Sequence, residues 1–280
     1  MNFIQYRKVY YVISIVVVLF SLVTLFTKGL NMGIDFRGGS ILQVRMEQNT
    51  DVNAVRDALK EIKMDKADVS KSGDEIFIRT HELSQNETQN ILNHLNDKFG
   101  KAEFRSAESV GASIGNELKR NSILAVIIAA IAMMLYIALR FEYTTGIASI
   151  VKELHDVSLV LGLFALFQWE VNTPFIAGLL TVVGYSINDS IVIFDRIREN
   201  LRMKKKEDYL TLVNKSITQS LNRSINTVLV SVFALIALLL FGGTSIKVFV
   251  LTMLIGFLVG GYSSIFVASP IWYDLKSKQE

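Results

Sequence analysis

Cysteine is missing from all 280 residues, which excludes disulfides, thiolate nucleophiles and Cys-ligated metals. Histidine is scarce. His81, His94 and His155 are scattered, with no HExxH or similar ligand spacing, so neither a metal nor a cofactor is expected. Charge is also thin, at 20% of residues, against about 25% in soluble domains. The formal net charge is only +3, and no basic stripe interleaved with aromatics occurs, so nucleic acid is not an expected partner.

What remains is an apolar chain, 51% hydrophobic with a mean hydropathy of +0.38. Its distribution says more than its average. Apolar runs long enough to cross a bilayer, which takes about 20 helical residues, fall at 9–28, 121–140, 146–168, 174–195, 217–241 and 246–272. A helix satisfies its own backbone hydrogen bonds, as lipid demands. Buried helices of a large soluble protein would need far more polar covering than this chain has. The first run is long for a signal peptide, and Thr27-Lys28-Gly29-Leu30-Asn31 offers no small-x-small cleavage site, so it reads as an uncleaved span.

Basic residues stay on the cytoplasmic side. Arg7, Lys8, Arg140, Lys276 and Lys278 share one side with Arg196, Arg198, Arg202, Lys204, Lys205, Lys206 and Lys215, while the short loops 169–173 and 242–245 carry no Lys or Arg. Both termini are therefore expected on the cytoplasmic side. The expected organisation is a first span in 1–29, an extracytoplasmic domain in 30–120, five further spans in 121–272 and a tail in 273–280. The charged loop 196–216 reads as an amphipathic helix at the membrane face.

The outside segment reads as a small α+β unit. Ile41, Leu42, Val44 and Met46 mark a strand, and Val52, Val55, Leu59 and Ile62 fall at helical spacing behind Thr50 as N-cap. Glu75–Thr80 alternates as a strand. Ser84 with Glu87 forms a capping-box signature ahead of Ile91, Leu92, Leu95 and Phe99, and Lys101–Ser106 gives a last strand. The order β-α-β-α-β suggests a ferredoxin-like, two-layer domain. Between residues 31 and 118 it holds 15 acidic and 11 basic residues, which carries no substrate signal. Leading into it, Gly33, Asp35, Gly38 and Gly39 lie in GIDFRGG. Paired glycines suit a tight turn, and this loop runs into a strand rather than the helix a phosphate cradle would need.

Ionisable groups inside spans cost about 2.5–3.5 kcal/mol each at mid-depth, so they are functional candidates by default. The third span carries His155 and Asp156, the fourth Asn188 and Asp189. The fifth carries Arg223 among Gln219, Asn222, Asn226 and Thr227. Asp189 lies six residues before Asp195, and Arg223 six after Ile217, each ~9 Å from the inner end at 1.5 Å per residue. Antiparallel neighbours would put the two at one level, where they could form a switchable ion pair. A static pair that only fixes helix packing is the alternative. Gly162, Gly178, Gly184 and the Gly256-x-x-x-Gly260 pair are small residues suited to close helix packing.

The block Gly184–Asn200 (GYSINDSIVIFDRIREN) resembles the fourth-span signature of the SecF family of protein-export membrane proteins. GIDFRGG at 33–39, LRFEY at 139–143 and HDVSLVLG at 155–162 are similar to further landmarks. The resemblance covers essentially the whole chain; Ser190, where Thr is frequent, is a mild departure. It implies half of a resistance–nodulation–division bundle, separate from its SecD partner and associated with the SecYEG channel. It also implies a translocating polypeptide and coupling to protons, or to sodium in some relatives, to promote late export. Under it the setting is the bacterial cytoplasmic membrane, Asp189 and Arg223 match the essential fourth-span acid and fifth-span arginine, and His155 and Asp156 match the HD pair of the third span. No enzymatic activity is implied. An exporter half of the same superfamily should carry a larger outside domain. An intramembrane aspartyl protease would need Asp156 and Asp189 to share a proton.

Overall fold

The computed structural model describes residues 2–47, 49–203 and 207–278. A 3-10 turn at Ile4–Tyr6 leads into α1 (Arg7–Lys28), β1 (Asn31–Met32), one helical turn α2 (Ile34–Arg37), β2 (Gly39–Arg45), α3 (Val52–Glu61), β3 (Asp68–Ser72), β4 (Glu75–Thr80), α4 (Gln85–Phe99) and β5 (Glu103–Val110). Long helices follow: α5 (Ala112–Arg140), α6 (Tyr143–Phe167), then β6 (Glu170–Val171), α7 (Thr173–Arg202), α8 (Tyr209–Phe241) and α9 (Lys247–Ser263). A π-helical turn, Ser264–Ala268, joins α9 to α10 (Ser269–Ser277). Two compact units result, residues 32–123 and residues 1–31 with 124–280.

The smaller unit holds a four-stranded antiparallel sheet ordered β3-β4-β2-β5. Its element order is β-α-β-β-α-β, one strand more than expected. The missed strand β3 reads DVSKS and buries only Val69, so it carries no apolar alternation to reveal it. The helix α3 is capped by Asp51, whose side chain accepts from Asn53 N, rather than by Thr50. The capping box of α4 forms as expected, and the hydrogen bonds Ser84 gives Glu87 hold that carboxyl below its usual range. The last strand runs to Val110 instead of ending at Ser106. Apolar residues of the sheet, α3 and α4 close the core: Leu42, Val44, Val55, Leu59, Ile76, Ile78, Ile91 and Leu95 have no exposed surface.

The GIDFRGG segment forms a helical turn and a tight bend into β2. Gly33 caps α2, with Asp35 in its first turn. Gly38 and Gly39 then adopt φ of +76° and +129°, and a Cβ on Gly39 would lie 2.5 Å from the Thr80 carbonyl oxygen. Any side chain there strains the backbone and collides with it.

Among the described residues five helical stretches are long and apolar enough to cross a membrane: Ile4–Lys28, Ala112–Arg140, Thr173–Arg202, Tyr209–Phe241 and Thr244–Ser277. The helix α6 is also long, at 25 residues, but carries Lys152, Glu153 and Asp156 within five positions. It packs on α1 and α9, while α7 packs on α8 and α9. Half of the apolar stretch of α7 is buried, and almost none of α5. The exposed apolar surfaces of α1, α5 and α8 are those a lipid or partner must cover.

Two expectations change here. The charged stretch 196–216 is not a separate amphipathic helix: it is the end of α7 and the start of α8, and Lys204, Lys205 and Lys206 lie outside the described residues. Arg196–Glu199 and Arg198–Asp195 pairs at i,i+3 carry α7 onward, and buried Ile197, Leu212, Val213 and Ile217 keep both ends packed. The glycines also divide. A Cβ on Gly256 would meet Val182 at 2.2 Å, one on Gly260 would meet Ser186 at 2.7 Å, and one on Gly162 would meet Ser21 at 2.3 Å; Gly184 faces open space. Gly256→Leu should therefore lower the melting temperature in detergent, an overpacking cost of about 1–3 kcal/mol. Gly184→Ala, with nothing within 4 Å, should leave it unchanged.

Candidate functional site

Within the helical unit α6 turns Lys152, His155 and Asp156 inward. Asp156 has no exposed surface, and neither has Lys152 one turn before it. Lys152 Nζ lies 2.9 Å from Asp156 Oδ2. The same i,i+4 spacing that pairs charges on a helix surface here seals the pair inside.

Other helices complete the shell. From α7, Ser186 Oγ donates to Asp156 Oδ2 at 2.7 Å; from the end of α9, Ser263 Oγ donates to the same oxygen at 2.8 Å. His155 Nδ1 lies 2.9 Å from Asp156 Oδ1. Lys152 Nζ donates also to the Ser186 carbonyl at 2.9 Å and touches its hydroxyl. A buried ion pair is tolerated when its remaining donors and acceptors are satisfied. Asp156 meets that condition.

Asp189, one turn along α7 from Ser186, does not. It is 6% exposed, and its Oδ2 has no hydrogen-bond partner among the described residues. The hydroxyl of Ser224, across on α8, is equally unpartnered. Ser190 and Ser264 share a hydrogen bond of 3.0 Å beside it. The hydroxyls of Ser224 and Ser264, and then the charges of Lys152 and Arg223, act on Asp189, yet no ion pair joins it to either base. The site thus contains, around buried Lys152, one saturated acid in Asp156 and two acids with open oxygens in Asp189 and Glu153.

The expected Asp189–Arg223 pair is accordingly not formed. Arg223 is exposed on the outer side of α8, with Asn222, Asn226 and Thr227 exposed beside it. Equal depth was the basis for pairing them, but helical phase turns the guanidinium outward while neighbouring Ser224 faces in. Asn188 is exposed too, and lies outside the cluster. His155 and Asp156 come together as expected. No hydrogen bond joins Asp156 to Asp189 among the described residues, so a proton-sharing dyad is not present.

The cluster includes residues that the sequence did not single out: Lys152, Ser186, Ser263 and Ser264. Lys152 had a signal in its i,i+4 spacing to Asp156 within an apolar run. The serines come from distant positions and had none. Glu153 was also missed. Its carboxylate, 3.8 Å from Lys152 Nζ and without a hydrogen bond, lines a groove of 340 Å³ beneath α5.

Comparison with known proteins places this arrangement in a family. Residues 90–278 match the C-terminal family of SecD/SecF protein export membrane proteins, and residues 23–50 match the SecD/SecF GG motif. A SecF protein translocase subunit of Sebaldella termitidis is 41% identical over 96% of this chain and 90% of its own length. One from Helicobacter pylori strain J99 is 40% identical over 97% and 86%. The crystal structure of SecDF from Thermus thermophilus, a translocon-associated membrane protein, superposes on all of this chain with a TM-score of 0.92 at 36% identity. SecDF in a super-membrane-facing form gives 0.75 at the same identity. The chain spans 39% of the length of each SecDF chain. With sequence matches running nearly end to end and the GG turn and polar bundle centre in place, the chain belongs to the SecF family of protein translocase subunits, one branch of the SecD/SecF protein-export membrane proteins.

Proposed function

We propose that this subunit pairs with SecD beside the SecYEG channel and uses the proton-motive force to promote late steps of polypeptide export. The observation that carries this reading is the buried cluster of Lys152, Asp156, Glu153 and Asp189, in which three acids surround one internal cation. In low dielectric an acid beside a cation stays charged, and one left alone does better with a proton. A lysine moving from Asp156 towards Asp189 would therefore release a proton at one acid and take one up at the other. One proton crossing 100 mV supplies about 2.3 kcal/mol. A sodium ion at the open Asp189 oxygen would serve the same cycle.

In this reading α6 is a sixth span, its charged stretch shielded from lipid by α1, α7 and α9. Both termini lie inside, following the distribution of Lys and Arg. The β-α-β-β-α-β order of the smaller unit supports a ferredoxin-like domain outside, where it would hold emerging polypeptide. The exposed Arg223 supports a SecD partner: a guanidinium facing lipid is costly, so the polar stripe on α8 is suited to a second helical half that brings an acid to it.

Three measurements test this. Asp189→Asn and Arg223→Ala should each preserve insertion and copurification with SecD while abolishing gradient-stimulated export into inverted vesicles; full export by Asp189→Asn would remove that acid from the mechanism. Lys152→Met should destabilise the subunit by about 3–5 kcal/mol, read as a lowered melting temperature, because it strands Asp156. Replacing both, as Lys152→Met with Asp156→Leu, should restore the melting temperature without restoring gradient-stimulated export.

A further inference from the structure

A lateral groove of 480 Å³ lies between α1, α6 and the chain running from the π-helical turn into α10. Its walls are Ile15, Val18 and Leu19 of α1, Val151 and Leu154 of α6, and Ile271 of α10, among others. Ser14 and His155 also border it, but Ser14 Oγ and His155 Nε2 present almost no surface, so they give water nothing to bond. The lips stand open to the side: Ile15, Leu19 and Leu154 are 58%, 55% and 63% exposed. Apolar surface of this kind is covered by lipid or by a partner.

The end of the groove nearest the chain termini is basic. Tyr11 donates to Asp274 Oδ2 at 2.9 Å, and Arg7 Nε pairs with Asp274 Oδ1 at 2.8 Å, which joins α1 to α10 and offsets the charges of Arg7 and Asp274. Lys276 is matched by Glu142 at 3.1 Å. Two cations are left over. Lys8 stands three residues before Tyr11 and seven before Ile15, on the same face of α1, and Lys278 stands seven after Ile271. Both are exposed, and neither has an ion pair among the described residues. A lysine can lay its stem along apolar surface while its head stays at the polar boundary.

We infer that the groove is a binding site for one anionic phospholipid, with an acyl chain lying along it and the phosphate held by Lys8 and Lys278. Charge selects the headgroup, because basic residues at the ends of membrane helices attract anionic lipid. Volume selects the occupant. At 480 Å³ the groove falls within the range of small-molecule clefts, about 300–1,000 Å³. A partner helix, about 10–12 Å across with its side chains, could place only side chains in it. An acyl chain gains apolar contact along the walls and forfeits no hydrogen bond. Bound this way, the lipid spans from α1 to α10. The inference goes beyond ion coupling and does not rest on it.

The test titrates phosphatidylglycerol and phosphatidylcholine of matched chains onto the delipidated full chain in detergent, with bound lipid counted by native mass spectrometry. Each lysine beside a phosphate is worth about fivefold in affinity, so one phosphatidylglycerol should bind about 25-fold more tightly than phosphatidylcholine. Lys8→Ser combined with Lys278→Ser should erase that preference. Ile15→Trp and Leu154→Trp, which fill the lips from two different helices, should weaken both lipids. Val16→Trp, 58% exposed on α1 but outside the groove, should change neither. The tryptophan variants replace residues at the surface, and their melting temperatures report folding. Equal affinity for the two lipids, or affinity indifferent to both lip variants, would overturn the site. Loss of the bound lipid on adding SecD would overturn it too, by giving the groove to a partner helix.

Discussion

The helical unit is organised around one buried carboxylate. Asp156 receives hydrogen bonds or an ion pair from its own helix, from α7 and from the end of α9, through Lys152, His155, Ser186 and Ser263. Each donor relieves part of the cost of burying the charge, so none can leave without penalty. This ties three helices to a common level. The close glycine seams serve the same end, because Gly260 allows α9 near enough to Ser186 for both serines to reach a single oxygen.

The asymmetry between the two acids follows from that arrangement. The donors converge on Asp156, and Asp189, facing Ser224 on the less buried α8, keeps an oxygen open. Networks that are fully satisfied rigidify, whereas an unpaired buried polar group is costly. The satisfied half of the centre thus belongs to α6, α7 and α9, and the unsatisfied half to the α7–α8 side that also exposes Arg223.

What the sequence revealed, and what it concealed, has a physical pattern. Apolar length marked the five helical stretches that are long and apolar enough to cross a membrane, but it treated charge as interruption. Asp195, Arg196 and Arg198 were therefore read as the membrane boundary, although α7 continues past them on i,i+3 pairs. The small domain was legible wherever one face was apolar, as in EIFIRT, and illegible in DVSKS, which buries one residue. At the site, depth along a helix could be counted from residue numbers and rotation could not. Asp189 and Arg223 were matched in height and missed in azimuth. Serines that close the shell around Asp156 are common in any sequence, and only folding gives them a role.

The π-helical turn at Ser264–Ala268 has a consequence for the end of the chain. A turn that takes one extra residue advances everything beyond it by about 100° around the axis, one residue's share of a 3.6-residue turn. Beyond it, Trp272 reaches Thr145 at 3.1 Å, and Asp274 reaches Arg7 and Tyr11. The widened turn sets the azimuth of that final clasp, so the first and last helices are latched together by a slip in the backbone ladder rather than by the side chains alone.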